Sequence, residues 1–158
     1  MAVRIGLERP TADFLVLPLP PNIHIGTLPA PEVLAPVMLT AYEGTPDYEG
    51  ETLDETVGEL REVLDGKYGA VITAASFVAY DGEAPVAAIT TVTEDELPLV
   101  ALVFTLPNYG GNGIASALLA AAAASLHDAG HPIIRLAVNP DNLRAVRLYR
   151  HLGFVKTV

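Results

Sequence analysis

The chain has 158 residues, 51% hydrophobic and 18% charged, which suits one folded domain with its own core and excludes a disordered segment. Nineteen acids against nine bases give a net charge of −10, so there is no basic face for nucleic acid and no cationic stripe for a membrane surface. There is no cysteine, which removes disulfides, thiolate metal sites and a cysteine nucleophile together.

The start of the chain, Met1 to Gly6, lacks an apolar core of signal-peptide length. The longest nearly uncharged apolar run, Ile114 to Leu126, is alanine-rich and too short to span a bilayer. The expected compartment is the cytoplasm. Prolines crowd residues 10 to 36, and between them Phe14 to Leu17 and Ile23 to Leu28 are candidate short edge strands. Glu32 to Tyr42 reads as a first helix, with Pro36 tolerable only near its start. An acidic loop, Glu43 to Glu51, follows. Thr52 and Glu55 form a capping box, Leu53, Val57, Leu60 and Leu64 repeat at helical spacing, and Gly66 stands at the C-terminal stop.

Ala75 to Tyr80 is a predicted strand, Asp81-Gly82 a hairpin turn, and Pro85 to Glu94 the returning strand. The acidic connection Glu94-Asp95-Glu96 leads to a third strand, Leu97 to Leu106, apolar on both faces and therefore central. Gly113 to Ala129 is a helix closed by Gly130, and Ile133 to Val138 another strand, so a parallel crossover follows the antiparallel meander. Asn139 and Pro140 suit the N-cap and first position of a last helix that Gly153 stops, and Phe154 to Val158 begins one more strand. The expected class is α/β with a mixed sheet, in a single domain over residues 1–158 without internal repeats.

The strand–glycine loop–helix passage around Gly110, Gly111 and Gly113 is a site for phosphate oxygens. Amides at a helix start lack partners within the helix, the dipole adds partial positive charge, and glycine admits a close ligand. A nucleoside triphosphate is disfavoured, because no lysine follows the loop. A dinucleotide is disfavoured, because a meander precedes the loop and no acid ends the next strand.

Two motifs carry a resemblance. Gly110-Gly111-Asn112-Gly113-Ile114-Ala115 is similar to the pyrophosphate loop Arg/Gln-x-x-Gly-x-Gly/Ala of the GNAT superfamily of acyl-CoA-dependent N-acyltransferases. Val138, Asn142, Ala145, Leu148-Tyr149 and Gly153-Phe154 resemble that family's Val-x-x-x-Asn-x-x-Ala-x-x-Leu-Tyr-x-x-x-Gly-Phe. The specific resemblance covers residues 97 to 154. It departs at Gly110, where the family places Arg or Gln, and at the end of the chain, where the family's final strand is missing. The N-terminal segment of this chain, or of a partner, is expected to fill that sheet edge, and an open edge makes a homodimer plausible.

The resemblance implies a GNAT-like fold and acetyl transfer from acetyl-CoA to a primary amine, by direct attack and without a metal. It implies that the backbone of Phe104 and Thr105 holds the pantetheine arm and that Gly110 to Ala115 hold the pyrophosphate, with Ser116 adding a hydroxyl. It further implies that Asn142 bonds the arm or a water and that Tyr149 protonates the departing sulfur. The plain alternatives are a capping role for Asn142, a core role for Tyr149 and an ordinary first-turn serine at Ser116. The acceptor is a small-molecule or peptide amine. Tyr42, Glu43, Asp47, Tyr48, Glu49 and Glu51 form a candidate pocket for its cationic form, against the reading of a plain acidic surface. His127 and His131 have helical metal-ligand spacing, but Gly130 breaks the helix between them. The rival from another class is a non-catalytic acyl-CoA-binding sensor or interaction module on the same fold.

Overall fold

The computed structural model describes residues 3–15 and 18–157. In chain order its elements are β1 (Ile5–Pro10), β2 (Ile23–Gly26), α1 (Pro31–Glu43), α2 (Leu53–Leu64), β3 (Ala70–Val71), β4 (Phe77–Asp81), β5 (Ala84–Glu94), β6 (Leu97–Thr105), α3 (Ile114–Asp128), β7 (Ile133–Val138), α4 (Leu143–His151) and β8 (Val155–Lys156). The strands form one mixed sheet in the order β2-β4-β5-β6-β7-β1-β8, with β3 pairing β5 off this path. The expected meander is β4-β5-β6, β6 is interior, and β7 runs parallel to it.

Side chains alternate across this sheet with a period of two, and each face buries its own helices. Ala87 and Ile89 of β5 join the cluster beneath α3 and α4, while Ala88 joins the cluster beneath α1 and α2. The small residues of β4 and β5 let both layers approach closely. On α3, Leu118, Leu119 and Leu126 are essentially inaccessible. Each contributes about 2 kcal/mol through burial.

The capping box at Thr52 and Glu55 is present in both directions, and Gly66 at φ +95° follows the end of α2. Leu53 does not join the buried stripe. It is 45% exposed, and the inward face of α2 is built from Thr56, Leu60 and Val63. α1 runs through Pro36, its sixth residue, rather than requiring proline nearer its start. The first hairpin turn lies one residue later than the sequence predicts: Asp81 pairs with Ala84, so Gly82 (φ +61°) and Glu83 are the central pair.

Phe14 and Leu15 are not in a strand. Phe14 instead meets the Phe154 ring edge-on at 6.2 Å, with the Arg9 guanidinium 3.7 Å above its own ring. Val16 and Leu17, the rest of that predicted strand, lie outside the described residues, as does Val158 at the end of the predicted last strand. The second candidate edge strand stops at Gly26 rather than Leu28.

β1 is a strand the periodicity missed, because Gly6 and Pro10 dilute its pattern. It lies antiparallel between β7 and β8. This chain's own N-terminal segment therefore lies beside β7, at the sheet edge expected to need filling, and β1 covers the edge on which the expectation of a homodimer rests. The last helix also differs. Asn139 and Pro140 precede it in a turn, where Asn139 Oδ1 accepts from the Asp141 amide at 3.0 Å, and α4 begins only at Leu143.

Candidate active site

After β6 the chain makes a tight turn over Pro107–Tyr109 and enters the glycine loop. Tyr109 Oη donates to Asp81 Oδ2 at 2.6 Å, tying the loop to the first hairpin. That bond holds the Asp81 carboxyl below its ordinary range and pushes the Tyr109 phenol up. Gly111 and Gly113 have φ of +78° and +75°, left-handed values that favour glycine, and a Cβ on either would meet no atom within 4 Å. That empty space lies at the head of α3, which carries no side-chain cap. The Ala117 amide, which donates to Gly113 O at 2.9 Å, starts the helical ladder. α2 and α4, by contrast, are capped by Thr52 and Asn142. The Gly110 amide already donates to Pro107 O at 3.2 Å, so it is Gly111 to Ser116 that present unclaimed amides around an open cradle, an arrangement that fits a diphosphate.

β6 and β7 pair only at Leu99↔Arg135 and Val100↔Leu136. At that closed end Arg135 donates to the Glu94 carbonyl at 2.8 Å and to the Leu97 carbonyl at 3.3 Å. Immediately beyond, the β5–β6 register slips: Thr91 faces Val100 and Thr90 faces Leu102, leaving Ala101 as a bulge. A bulge bends its strand, and from this point β6 and β7 are no longer paired. The hollow between them, about 90 Å³, is lined by Leu102, Val103, Val138, Asn142, Ala145 and Tyr149. Phe104 buries its ring against Tyr42, centroids 5.9 Å apart, so what it offers at the open edge is backbone. Thr105 Oγ1 is buried with no hydrogen-bond partner among the described residues.

A larger cavity of about 270 Å³ adjoins this hollow, between α1, α2 and β6. The two share Arg4, Tyr42 and Asp47, together with Val100, Ala101 and Leu102 of β6 and Ala137 of β7. Asp47, with an 11% exposed side chain, stands at the junction: Asn142 Nδ2 donates to its Oδ2 at 3.1 Å, and Arg4 lies 3.6 Å from its Oδ1. Glu51 and Glu59 line the same cavity. Burial, then the charges of Glu51 and Glu62, push the Glu59 carboxyl above its ordinary range.

Tyr149 lies against Phe154 at 5.8 Å and is buried, yet it lines the hollow. Burial first, then the Asp47 carboxylate, push its phenol well up, with Arg4 opposing. Tyr42 is raised for the same leading reason. Both phenols are therefore protonated, able to donate. Asn142 does cap α4: its Oδ1 accepts from the Ala145 amide at 3.2 Å.

The hollow and the glycine loop lie at the same end of β6, and of the candidate acids Asp47 and Glu51 line the cavity. Three residues were not singled out from the sequence. Arg4 precedes an unrecognised strand, and Glu59 is a charge at the margin of an amphipathic stripe. Arg144 has its guanidinium carbon 3.2 Å from where a Cβ on Gly110 would stand. The signal for Arg144 was the empty position 110 itself. Among the described residues no three His, Asp or Glu side chains gather as a metal would require. His127 Nδ1 lies 3.4 Å from Thr11 Oγ1 instead.

Similarity to known proteins agrees with this geometry. Over 48 residues, 30% of this chain, the sequence is 48% identical to a mycothiol acetyltransferase of Nocardiopsis dassonvillei, of which it covers 14%. A GCN5-related N-acetyltransferase from Sphaerobacter thermophilus superposes with a TM-score of 0.74 at 16% identity, over 98% of this chain and 48% of that one. The PaiA N-acetyltransferase from Thermoplasma acidophilum, solved in complex with coenzyme A, superposes with a TM-score of 0.67 at 17% identity, over 84% of this chain and 89% of that one. The chain thus spans about half the length of the Sphaerobacter protein and a small part of the mycothiol acetyltransferase. The model of the acetyltransferase (GNAT) family matches residues 42–154, and the chain belongs to that family.

Proposed function

We propose that residues 1–158 act as one acyltransferase domain that moves an acetyl group from acetyl-CoA to a primary amine by direct attack. The observation that carries this reading is the continuity of three features: the uncapped α3 N-terminus, the opening between β6 and β7, and the acidic cavity that meets it at Asp47. Acetyl-CoA supplies the activated thioester. The loop amides from Gly111 to Ala115 grip its diphosphate, with Gly110 leading the chain into the loop and the Ser116 hydroxyl beside them. The unpaired β6 edge around Phe104 and Thr105 takes the pantetheine arm as an added strand, and an amide there meets the oxyanion.

Asp47, Glu51 and Glu59 draw in the cationic amine, which gives a proton to cavity water before its lone pair attacks the carbonyl carbon. As the carbonyl re-forms and the carbon–sulfur bond breaks, Tyr149 passes its phenolic proton to the sulfur, and the proton that the attacking nitrogen sheds returns through cavity water to the phenolate. Holding both reactants in one line supplies much of the rate enhancement. Asn142 keeps Asp47 over the junction. A panel assay for thiol release, with monoamines, diamines and peptide N-termini, tests the reading. Calorimetric titration with acetyl-CoA runs beside it. Binding without thiol release from any amine favours the sensor reading, and no heat at millimolar ligand ends both.

A further inference from the structure

Gly110 is not glycine for the sake of its backbone. Its φ of −67° and ψ of 153° are open to any residue. What a side chain there would meet is the guanidinium of Arg144, reaching over from the first turn of α4. Arg144 is exposed and has no ion pair among the described residues, whereas Arg4, Arg61, Lys67 and Arg135 each face a carboxylate. A cation in the first turn of a helix opposes the helix dipole, and this turn contains no acid to offset it. Its place is therefore not explained by the stability of α4.

The surroundings supply the missing partner. The guanidinium lies beside a loop whose amides, with the uncapped head of α3, already form a cradle for an anion. The chain as a whole carries −10, so a polyanionic ligand approaches against a repulsive field unless a local cation faces it. Arginine, with a planar fork of donors, matches phosphate oxygens in pairs.

We propose that Arg144 grips the diphosphate of coenzyme A from α4, in the space that a side chain at loop position 110 would otherwise fill. This rests on the acyl-CoA reading above. It makes Arg144 a ligand-binding residue and Gly110 the residue that leaves room for it. The cradle is then completed by two elements, the loop and the facing helix, instead of one.

Calorimetric titration of the full chain with coenzyme A and with dephospho-coenzyme A, which lacks only the 3′-phosphate, tests this. Arg144→Ala is expected to weaken both ligands about tenfold, the loss of one charge-assisted phosphate contact. Arg150→Ala, which removes the same charge from another face of α4, is expected to change either by less than about twofold. Gly110→Arg in the Arg144→Ala background returns the cation to the loop and is expected to restore most of the affinity. Affinity unchanged in Arg144→Ala overturns the proposal. So does a loss confined to coenzyme A, which assigns Arg144 to the 3′-phosphate, or an equal loss in Arg150→Ala, which makes the effect one of general charge. If the unaltered chain binds neither nucleotide, the acyl-CoA reading itself fails, a result distinct from these.

Discussion

Asn142 Nδ2 donates to Asp47 Oδ2 at 3.1 Å, joining residues 95 positions apart. The same amide side chain caps α4 through its oxygen, so one residue fixes the helix that carries Tyr149 and also the loop that borders the larger cavity. Asp47 is the hinge of the electrostatics as well, because its charge helps to raise both buried phenols. Asp47→Asn removes that charge, which favours the tyrosinate form, so the phenols are expected to ionise at lower pH. A spectroscopic pH titration of tyrosinate absorbance, compared with the unaltered chain, checks the direction.

Tyr149→Phe deletes a hydroxyl that makes no hydrogen bond among the described residues while leaving the ring against Phe154. Stability is expected to change by less than about 0.5 kcal/mol. Turnover is expected to fall about a hundredfold, the scale of a positioned general acid, with coenzyme A affinity unchanged. Single-turnover kinetics beside calorimetry separates the two. Unaltered turnover would mean that water protonates the sulfur.

Glu59 stands exposed at the cavity wall among other acids, and its raised pKa means that its ionisation works against folding. For a carboxyl shifted upward, the folded state is unpenalised below the unfolded pKa, and stability is lost as pH rises through the folded value. Glu59→Gln is therefore expected to raise the melting temperature at about pH 7 and to leave it unchanged below about pH 4. The same substitution removes a negative wall from the cavity and is expected to raise KM for a cationic amine. Melting curves at the two pH values, with amine kinetics, read both effects.

Gly113 holds φ +75° at the head of α3 with open space where a Cβ would stand. Gly113→Ala is expected to cost about 1 kcal/mol in strain, because alanine resists left-handed backbone. It also places a methyl group in the cradle, so coenzyme A affinity is expected to fall more than about tenfold. Denaturant unfolding gives the first figure and calorimetry the second.

The turn between β5 and β6 holds Asp95 at φ +52° and Glu96 at φ +66°, both left-handed and both acidic. Asn-Gly is the preferred pair for a two-residue turn of this kind. Asp95→Asn combined with Glu96→Gly is expected to stabilise the chain by about 1 kcal/mol, with activity unchanged because this turn lies at the closed end of the sheet. An unchanged unfolding midpoint would show that the strain is already relieved by Arg135, which bonds the Glu94 carbonyl.

Local signals were enough for the sheet's interior, the helices and the glycine loop. Alternation, capping pairs and helix stops act within a few residues, so Thr52 with Glu55, or Gly66 after α2, is legible in a linear string. Signals of one residue misled where two readings compete: Asn139-Pro140 looks like a helix start, but Asn139 forms its own turn and Asn142 takes the cap. Tertiary structure alone decided that β1 slips between β7 and β8, because strand partners are chosen by edges rather than by periodicity. It alone brought Asp47 to Asn142, Glu59 to the cavity and Arg144 to Gly110. Charge and hydrogen bonding act through space at a few ångströms, and the chain's order does not encode that distance.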